Sequence, residues 1–442
     1  MPLGIDKIKT ILVDQREEVK RLFSQEKIIA RDIETKNITR YLVAPNIVVV
    51  SGIRRSGKST LALAVLKNKK HLYLNFDDER LADFSPDDFD LLLQAGYELY
   101  GEDLNYFLFD EIQNIGQWQL FINRLRRTKK IIITGSNARL LSGELATHLT
   151  GRYVKVELFP FSFREFLRLK GLRFVPKDIF STAKKAKLRQ LFEEYLKKGG
   201  LPEVYKFGQK MVQQIYSDIL NKDILLRYPI KQQRTFKKLA NYLMAQFTNS
   251  VSFANLGKIF SIQDAHTVSN YIDYLINSYL IFVLHKFSYK LKQQHLAKKK
   301  LYGIDTGLIN SVAFQFSQNK GRLVENAVFI ELLRRISYWN QFSEVFFWQD
   351  LQGREVDFVI KKGRKFKQLI QVSTDVSSQS IWQREIRSLL IASKKLHCDN
   401  LLLLTANERG EKRVEGQIIR IRPLAEWFLF ARVRTNPLAA LN

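Results

Sequence analysis

At 442 residues the chain is long enough for two to four domains, and 45% hydrophobic with 12% aromatic residues is a globular composition that excludes a mainly disordered state. The single cysteine, Cys398, excludes an intrachain disulfide framework and a cysteine-rich zinc site, and six scattered histidines offer no substitute. Lys plus Arg is 71 against 44 Asp plus Glu, a formal charge of +27 that invites a polyanionic partner such as nucleic acid.

The excess is uneven. Residues 1–160 carry net +3 and residues 161–442 net +24, so the basic surface belongs to the last two thirds. The plainer reading of the same numbers is a lysine-rich surface that is merely solvated. Met1 to Lys20 alternates charged with apolar residues and lacks the continuous apolar core of a signal peptide. No apolar run approaches the roughly 18 residues that span a bilayer. The expectation is a soluble cytoplasmic protein without a membrane partner.

Ile47-Val48-Val49-Val50 is a short β-branched run, followed at once by Gly52-Ile53-Arg54-Arg55-Ser56-Gly57-Lys58-Ser59-Thr60 and by the helix-favouring stretch Leu61 to Leu66. That order predicts strand, glycine loop and helix, with the spacing G-x-x-x-x-G-K-[ST] of a phosphate-binding loop (Walker A). Gly52 and Gly57 let the backbone turn its N–H groups onto a phosphate. Lys58 meets the β and γ oxygens, and the hydroxyl of Ser59 ligates Mg²⁺. Arg55, Ser56 and Thr60 complete the nucleotide-contacting set. A loop that hydrolyses as well as binds needs a second strand ending in carboxylates. Tyr106-Phe107-Leu108-Phe109-Asp110-Glu111 supplies them, with Asp110 predicted at the carboxyl end of a buried parallel strand and Glu111 beside it. An ordinary acidic turn is the bland alternative.

Lys130 to Thr134 reads as a further strand running into the polar tip Gly135-Ser136-Asn137-Ala138-Arg139, and His71 to Phe76 as another, followed by Asp77-Asp78-Glu79. Strands alternating with helices predict an α/β fold, a doubly wound parallel P-loop sheet over residues 1–160.

These segments in this order, with Tyr73 to Leu81, Phe109 to Gln113, Ile133 to Leu141, Gly151-Arg152 and Pro160-Phe161-Ser162-Phe163-Arg164-Glu165-Phe166, resemble the prokaryotic AAA-type ATPases that carry a C-terminal domain of uncharacterised function. The resemblance covers nearly the whole chain. It implies ATP and Mg²⁺ as cofactors, Lys58 and Ser59 on phosphate and Mg²⁺, Asp110 orienting Mg²⁺ and Glu111 activating water. Ser136 and Asn137 correspond to the sensor position. Arg152 resembles the arginine finger given to a neighbouring subunit's ATP, which implies a homo-oligomer; Arg139 competes for that role, and a surface arginine at a strand start is the bland reading.

From Phe161 the pattern turns helical, and residues 161–230 are expected to form a helical lid, with Gly199-Gly200-Leu201-Pro202-Glu203 as helix punctuation. Residues 231–305 read as three helices and a β-ribbon, a winged-helix pattern whose third helix opens at Asp264. The ribbon holds Lys286, Lys290, Lys292, Lys298, Lys299 and Lys300 with no acid among them. Such a ribbon suits nucleic acid, DNA above all, with a steep salt dependence. A protein-binding wing or a solvated loop competes with that reading.

Residues 306–442 give helix, three strands, helix and strand, which resembles the PD-(D/E)XK nuclease core. Glu325 fits its helix acid and Asp357 its first strand acid. Where E-x-K is wanted, Gln371-Val372-Ser373 stands, and no lysine follows within the next few positions. The chemistry needs carboxylates for Mg²⁺ and a lysine for the developing charge. The expectation is therefore a degenerate domain without robust cleavage, retained for binding through the basic loop at Lys361 to Lys367.

Together these readings predict a Mg²⁺-dependent ATP-hydrolysing AAA-type ATPase that couples nucleotide state to DNA engagement. The alternative is an ATP-controlled signalling or defence switch whose basic domains bind a protein partner, and a third is an active nuclease gated by ATP.

Overall fold

The computed structural model describes residues 4–42, 45–138, 149, 151–312, 320–340, 342–374 and 378–430. The chain divides into two units at the Phe159–Pro160 bond, with Asn277–Tyr279 belonging to the first unit.

In the first unit five strands, β1 (Ile47–Ser51), β2 (His71–Asn75), β3 (Tyr106–Asp110), β4 (Lys130–Gly135) and β5 (Tyr153–Glu157), form one sheet in the order β2-β3-β4-β1-β5. Every pairing is parallel. Parallel strands need crossovers, and the intervening segments supply helices at Lys58–Leu66, Phe89–Tyr100 and Trp118–Leu125. β1 is buried along its whole length, as its unbroken β-branched run requires of a strand covered on both faces. The helix Ile5–Gln25 lays Ile8, Ile11, Leu12 and Gln15 inward at i, i+3, i+4 and i+7. Gln15 then satisfies both backbone groups of Asn75, accepting its N–H at 2.8 Å and donating to its carbonyl at 3.2 Å.

The second unit begins with helices at Phe163–Leu169, Thr182–Lys198, Pro202–Phe207 and Lys210–Asp218, the last continuing into a π-helical turn at Ile219–Leu225. Ser162 and Glu165 form a reciprocal capping box at the first helix. The Gly199-Gly200 turn has a steric cause beyond punctuation. A Cβ on Gly199 would lie 2.1 Å from the Asp305 carboxylate and one on Gly200 2.3 Å from the Phe161 carbonyl. Asp305 accepts the Gly200 N–H at 2.5 Å and the Leu308 N–H at 3.1 Å. Burial outweighs those bonds and pushes its carboxyl up to about 6.

Helices at Gln233–Ala245, Phe253–Ile259 and Ala265–Asn277 follow, with a small antiparallel sheet of β6 (Ser250–Val251), β7 (Ile281–Leu284) and β8 (Lys299–Gly303) in the order β6-β8-β7. Asp264 caps the third helix, accepting from the N–H groups of His266 and Thr267. The connection between β7 and β8 carries a short helix of its own, Leu291–Leu296.

After helices at Thr306–Val312 and Lys320–Trp339 comes a six-stranded sheet of β9 (Ser343–Gln349), β10 (Glu355–Lys362), β11 (Lys365–Ser373), β12 (Leu401–Thr405), β13 (Gly410–Val414) and β14 (Gln417–Pro423). Its order is β13-β14-β12-β11-β10-β9, and the helix Gln379–Leu396 carries the parallel crossover from β11 to β12. The segment read as a basic loop at Lys361 to Lys367 is a hairpin instead. Gly363, at φ 58°, opens a two-residue turn, and Lys361 and Lys362 pair with Phe366 and Lys365 as ladder residues.

The helix Lys320–Trp339 is held by buried charge. Glu331 pairs with Arg334 and with Arg335 at 2.8 Å, and lies 3.6 Å from Arg164. Arg335 stacks 3.8 Å over the Trp427 ring, and Arg334 donates to the Pro160 carbonyl at 3.2 Å.

Candidate functional site

The loop that follows β1 is shaped by three backbone positions, Gly52, Arg55 and Gly57. A Cβ on Gly52 would meet the Leu158 carbonyl oxygen at 2.2 Å. Arg55 sits at φ 65° and Gly57 at φ 90°, the left-handed turns that let successive N–H groups converge on an anion. The helix Lys58–Leu66 starts directly behind them, adding the positive end of its dipole. Lys58 is buried, with Nζ 3.2 Å from the Ile53 carbonyl it donates to. Ser59 and Thr60 are half-buried in the first turn. Arg31 holds the loop from outside, donating to the Ser56 carbonyl at 2.8 Å and to the Phe159 carbonyl at 2.5 Å. The Ser56 hydroxyl is buried and, among the described residues, has no hydrogen-bond partner, as suits a loop built for a polyanion.

The strand order decides what faces this loop. β4 lies between β1 and β3, so Asp110 and Glu111 stand about 10 Å, two strand spacings, from the loop strand, with the tip of β4 in the gap. Asp110 is buried and accepts from the Thr134 hydroxyl and, at 3.2 Å, from the Tyr73 hydroxyl. Glu111 takes a left-handed conformation at φ 51° and accepts from the Gln113 amide and, at 3.5 Å, from the Ser136 hydroxyl. Burial holds its carboxyl above the usual range; the Lys58 ammonium opposes that shift and the Asp110 charge adds to it. Ser136 and Asn137 are buried at the same end of the sheet. Thr134, Tyr73 and Arg31 were not singled out from the sequence. Thr134 lay within a recognised strand tip, whereas Arg31 had no local signal at all.

Arg152 is elsewhere. It precedes β5, whose Tyr153 pairs with Ile47 at the amino end of the parallel sheet, and its side chain donates to Asn123 at 3.2 Å. The glycine loop leaves β1 at the opposite end, about 16 Å away along a five-residue strand. Arg139 lies outside the described residues.

A family model described as an AAA domain matches residues 44–167. Domains of unknown function, DUF8612 and DUF4143, match 189–319 and 320–427. An uncharacterized protein of Methanocaldococcus jannaschii is 35% identical over 440 residues, covering 95% of this chain and 94% of its own. The chain belongs to one family with this protein, and its residues 44–167 are an AAA domain. An uncharacterized protein of Haemophilus influenzae is 29% identical over 421 residues, 91% of this chain and 99% of its own. Among solved structures, a Walker-type ATPase of Pyrococcus abyssi aligns with 66% of this chain and 97% of its own at 15% identity, with a TM-score of 0.40.

Beyond the AAA domain, the second unit gathers a separate cluster of charge. Glu325, near the start of the helix Lys320–Trp339, and Asp357, on β10, both face Lys300 on β8. Lys300, expected with five other ribbon lysines to meet nucleic acid, is buried instead. Its ammonium lies 3.0 Å from Glu325, 2.6 Å from Glu355 and 3.9 Å from Asp357. Gln371 is turned away, accepting the Asp357 N–H at 3.3 Å and donating to Glu385 at 2.6 Å. Sequence reasoning missed Glu355, although Glu355-x-Asp357 puts both carboxylates on one face of a strand. It also missed Glu385. Burial and the Glu325 charge hold Asp357 well above the usual carboxylate range.

The remaining lysines of the β7–β8 connection keep their exposure: Lys290, Lys292 and Lys298 are exposed, Lys286 and Lys299 half-buried. Within the second unit this connection lies against the β10–β11 hairpin. Phe287 and Phe366 meet edge to face at 4.9 Å, and Phe287 donates its N–H to the Phe347 carbonyl at 2.7 Å. Among the described residues no helix is long and apolar enough to cross a membrane.

Proposed function

We propose that the chain is a Mg²⁺-dependent enzyme that hydrolyses ATP to ADP and phosphate and couples nucleotide state to DNA engagement. The AAA domain at residues 44–167 and the glycine loop's geometry support ATP binding. The loop amides and Lys58 bind the phosphates. Mg²⁺, held by Ser59 and Asp110, would neutralise charge on the β and γ oxygens. Glu111, its carboxyl raised by burial and under the influence of the Lys58 ammonium, orients and polarises the attacking water, and Ser136 and Asn137 sense the γ-phosphate. Arg152, too far from its own loop, serves the ATP of a neighbouring copy, so the active form is a homo-oligomer.

On this reading the second unit comprises a helical lid over 161–230, a winged helix over 231–305 and a PD-(D/E)XK-like module over 306–442. One observation carries the DNA assignment. The packing of Phe287 on Phe366 sets two basic segments, Lys286 to Lys299 and Lys361 to Lys367, side by side, and neither contains an acid. Lys362, Arg364, Lys365 and Lys367 are exposed, and among the described residues only Lys361 of this segment is ion-paired, with Glu344 at 3.0 Å. A phosphate backbone complements such a surface by counterion release.

Steady-state ATP hydrolysis with and without duplex DNA, at low and physiological salt, with Lys58→Ala as the blank, tests the reading. DNA stimulation that fades as salt rises is expected. Turnover indifferent to DNA overturns the coupling and favours the second reading, a nucleotide-controlled switch with a protein partner. Tyr289, Leu291 and Leu296, each more than 70% exposed among the lysines, are the observation on that side.

A further inference from the structure

The nuclease-like reading implies a divalent ion held by Glu325, Asp357 and the residue at position 371. The donor set of this chain does not fit one. The Gln371 carbonyl oxygen is taken by the Asp357 N–H and its amide is spent on Glu385. One Asp357 oxygen accepts the Val372 N–H at 2.8 Å. One Glu325 oxygen is shared between Lys300 and the Tyr302 hydroxyl, which donates at 2.7 Å. Among the described residues no three His, Cys, Asp or Glu side chains are arranged to hold a metal ion.

What the carboxylates do converge on is an ammonium group. We propose that Lys300 is a tethered cation that takes the place of a divalent metal at the Glu325–Glu355–Asp357 centre, so that the second unit keeps this centre metal-free. The ammonium is compact and presents three donors. Its stem is buried, with the Phe347 ring 5.7 Å from Nζ, so it cannot retreat to water without unpacking β8. A cation fixed by the chain is present at high effective concentration and excludes a dilute free ion from the same oxygens.

The neighbouring contacts fix the strand that carries it. Asn326 pairs with both backbone groups of Gly303, accepting its N–H and donating to its carbonyl at 2.8 Å each. β8 is thus laid along the helix Lys320–Trp339 at Gly303, Tyr302 and Lys300 together, which joins the small three-stranded sheet to the C-terminal sheet. The lysine that the local motif lacks is supplied from another element, in a position that neutralises the acids instead of leaving them to a metal.

The test is a Mn²⁺ titration of the chelator-stripped full chain without nucleotide, followed by calorimetry or by the paramagnetic signal of free Mn²⁺. The unsubstituted protein is expected to take up no Mn²⁺ in the millimolar range that Asp357→Asn removes. Lys300→Met, shown folded by circular dichroism, is expected to gain one Mn²⁺ site at least about tenfold tighter than anything in the parent, lost again when Asp357→Asn is added. Mn²⁺ bound by the unsubstituted chain and released by Asp357→Asn overturns the proposal. So does a folded Lys300→Met that gains no site. Should Lys300→Met not fold, the comparison of the unsubstituted chain with Asp357→Asn decides alone: uptake sensitive to Asp357→Asn overturns the proposal, and its absence supports it.

Discussion

Glu111 sits between opposing influences. Burial and Asp110 raise its carboxyl, the Lys58 ammonium pulls it down, and the net direction is upward. A group that must be ionised to polarise water loses its effect as pH falls through its own pKa, and a raised pKa moves that loss to higher pH. The acid limb of the rate against pH is therefore expected above the ordinary glutamate range, and Glu111→Gln should lower turnover by about 10² or more while nucleotide still binds. A pH profile of kcat paired with nucleotide affinity checks both; an acid limb at or below pH 4.5 removes Glu111 from the role. At the same scale Arg31 shows how little a single residue announces. An arginine in a polar stretch has no pattern, and only the fold lays its two N–H groups on Ser56 and Phe159.

Elements in the second unit are joined by buried charge as much as by apolar packing. Glu331 answers Arg334, Arg335 and Arg164, and through them the helix Lys320–Trp339 holds Pro160 and Trp427. Removing the carboxylate takes the nearest counter-charge from three buried or half-buried guanidinium groups, and leaves Arg334 with the weaker influence of Glu165. Glu331→Ala is expected to destabilise the protein by about 3–5 kcal/mol, the cost of stranding one side of a buried ion pair. Denaturant unfolding followed by tryptophan fluorescence measures it, and a loss below about 1 kcal/mol would show that the arginines reach water or other partners. Helical spacing puts Val328, Phe329, Leu332 and Leu333 on one apolar stripe of this helix, yet Glu331, Arg334 and Arg335, off that stripe, are buried as Val328, Phe329 and Leu332 are. A helix enclosed on most sides cannot be read from one stripe.

For the whole molecule, the parallel register of β1 with β5 bears on assembly. Arg152 and the glycine loop lie at opposite ends of the same sheet, so one chain cannot bring them together. Arg152→Ala is expected to cut turnover by about 10³ while leaving nucleotide affinity intact. Mixing Arg152→Ala with Lys58→Ala, each inactive alone, should restore part of the activity, because the Lys58→Ala copy still lends its arginine to its neighbour's intact loop. Steady-state hydrolysis on the mixture reads it, and no recovery in an assembled mixture sinks the shared site.

The sequence by itself determined the phosphate loop and the strand ending at Asp110, because each is a contiguous segment whose parts act on neighbours in the chain. Glycines at Gly52 and Gly57, the lysine and the hydroxyls fall within nine residues, and the alternation of strands with helices follows from short-range patterning. The tertiary structure alone decided that β4 stands between the loop and the acids, that the two basic segments lie together, and that Lys300 leaves the basic ribbon for Glu325, Glu355 and Asp357. Lys300 is 25 residues from Glu325 and still farther from the two acids on β10. Burying its ammonium is tolerable only where several carboxylates wait for it, and that is a property of packing between elements, which local spacing does not encode.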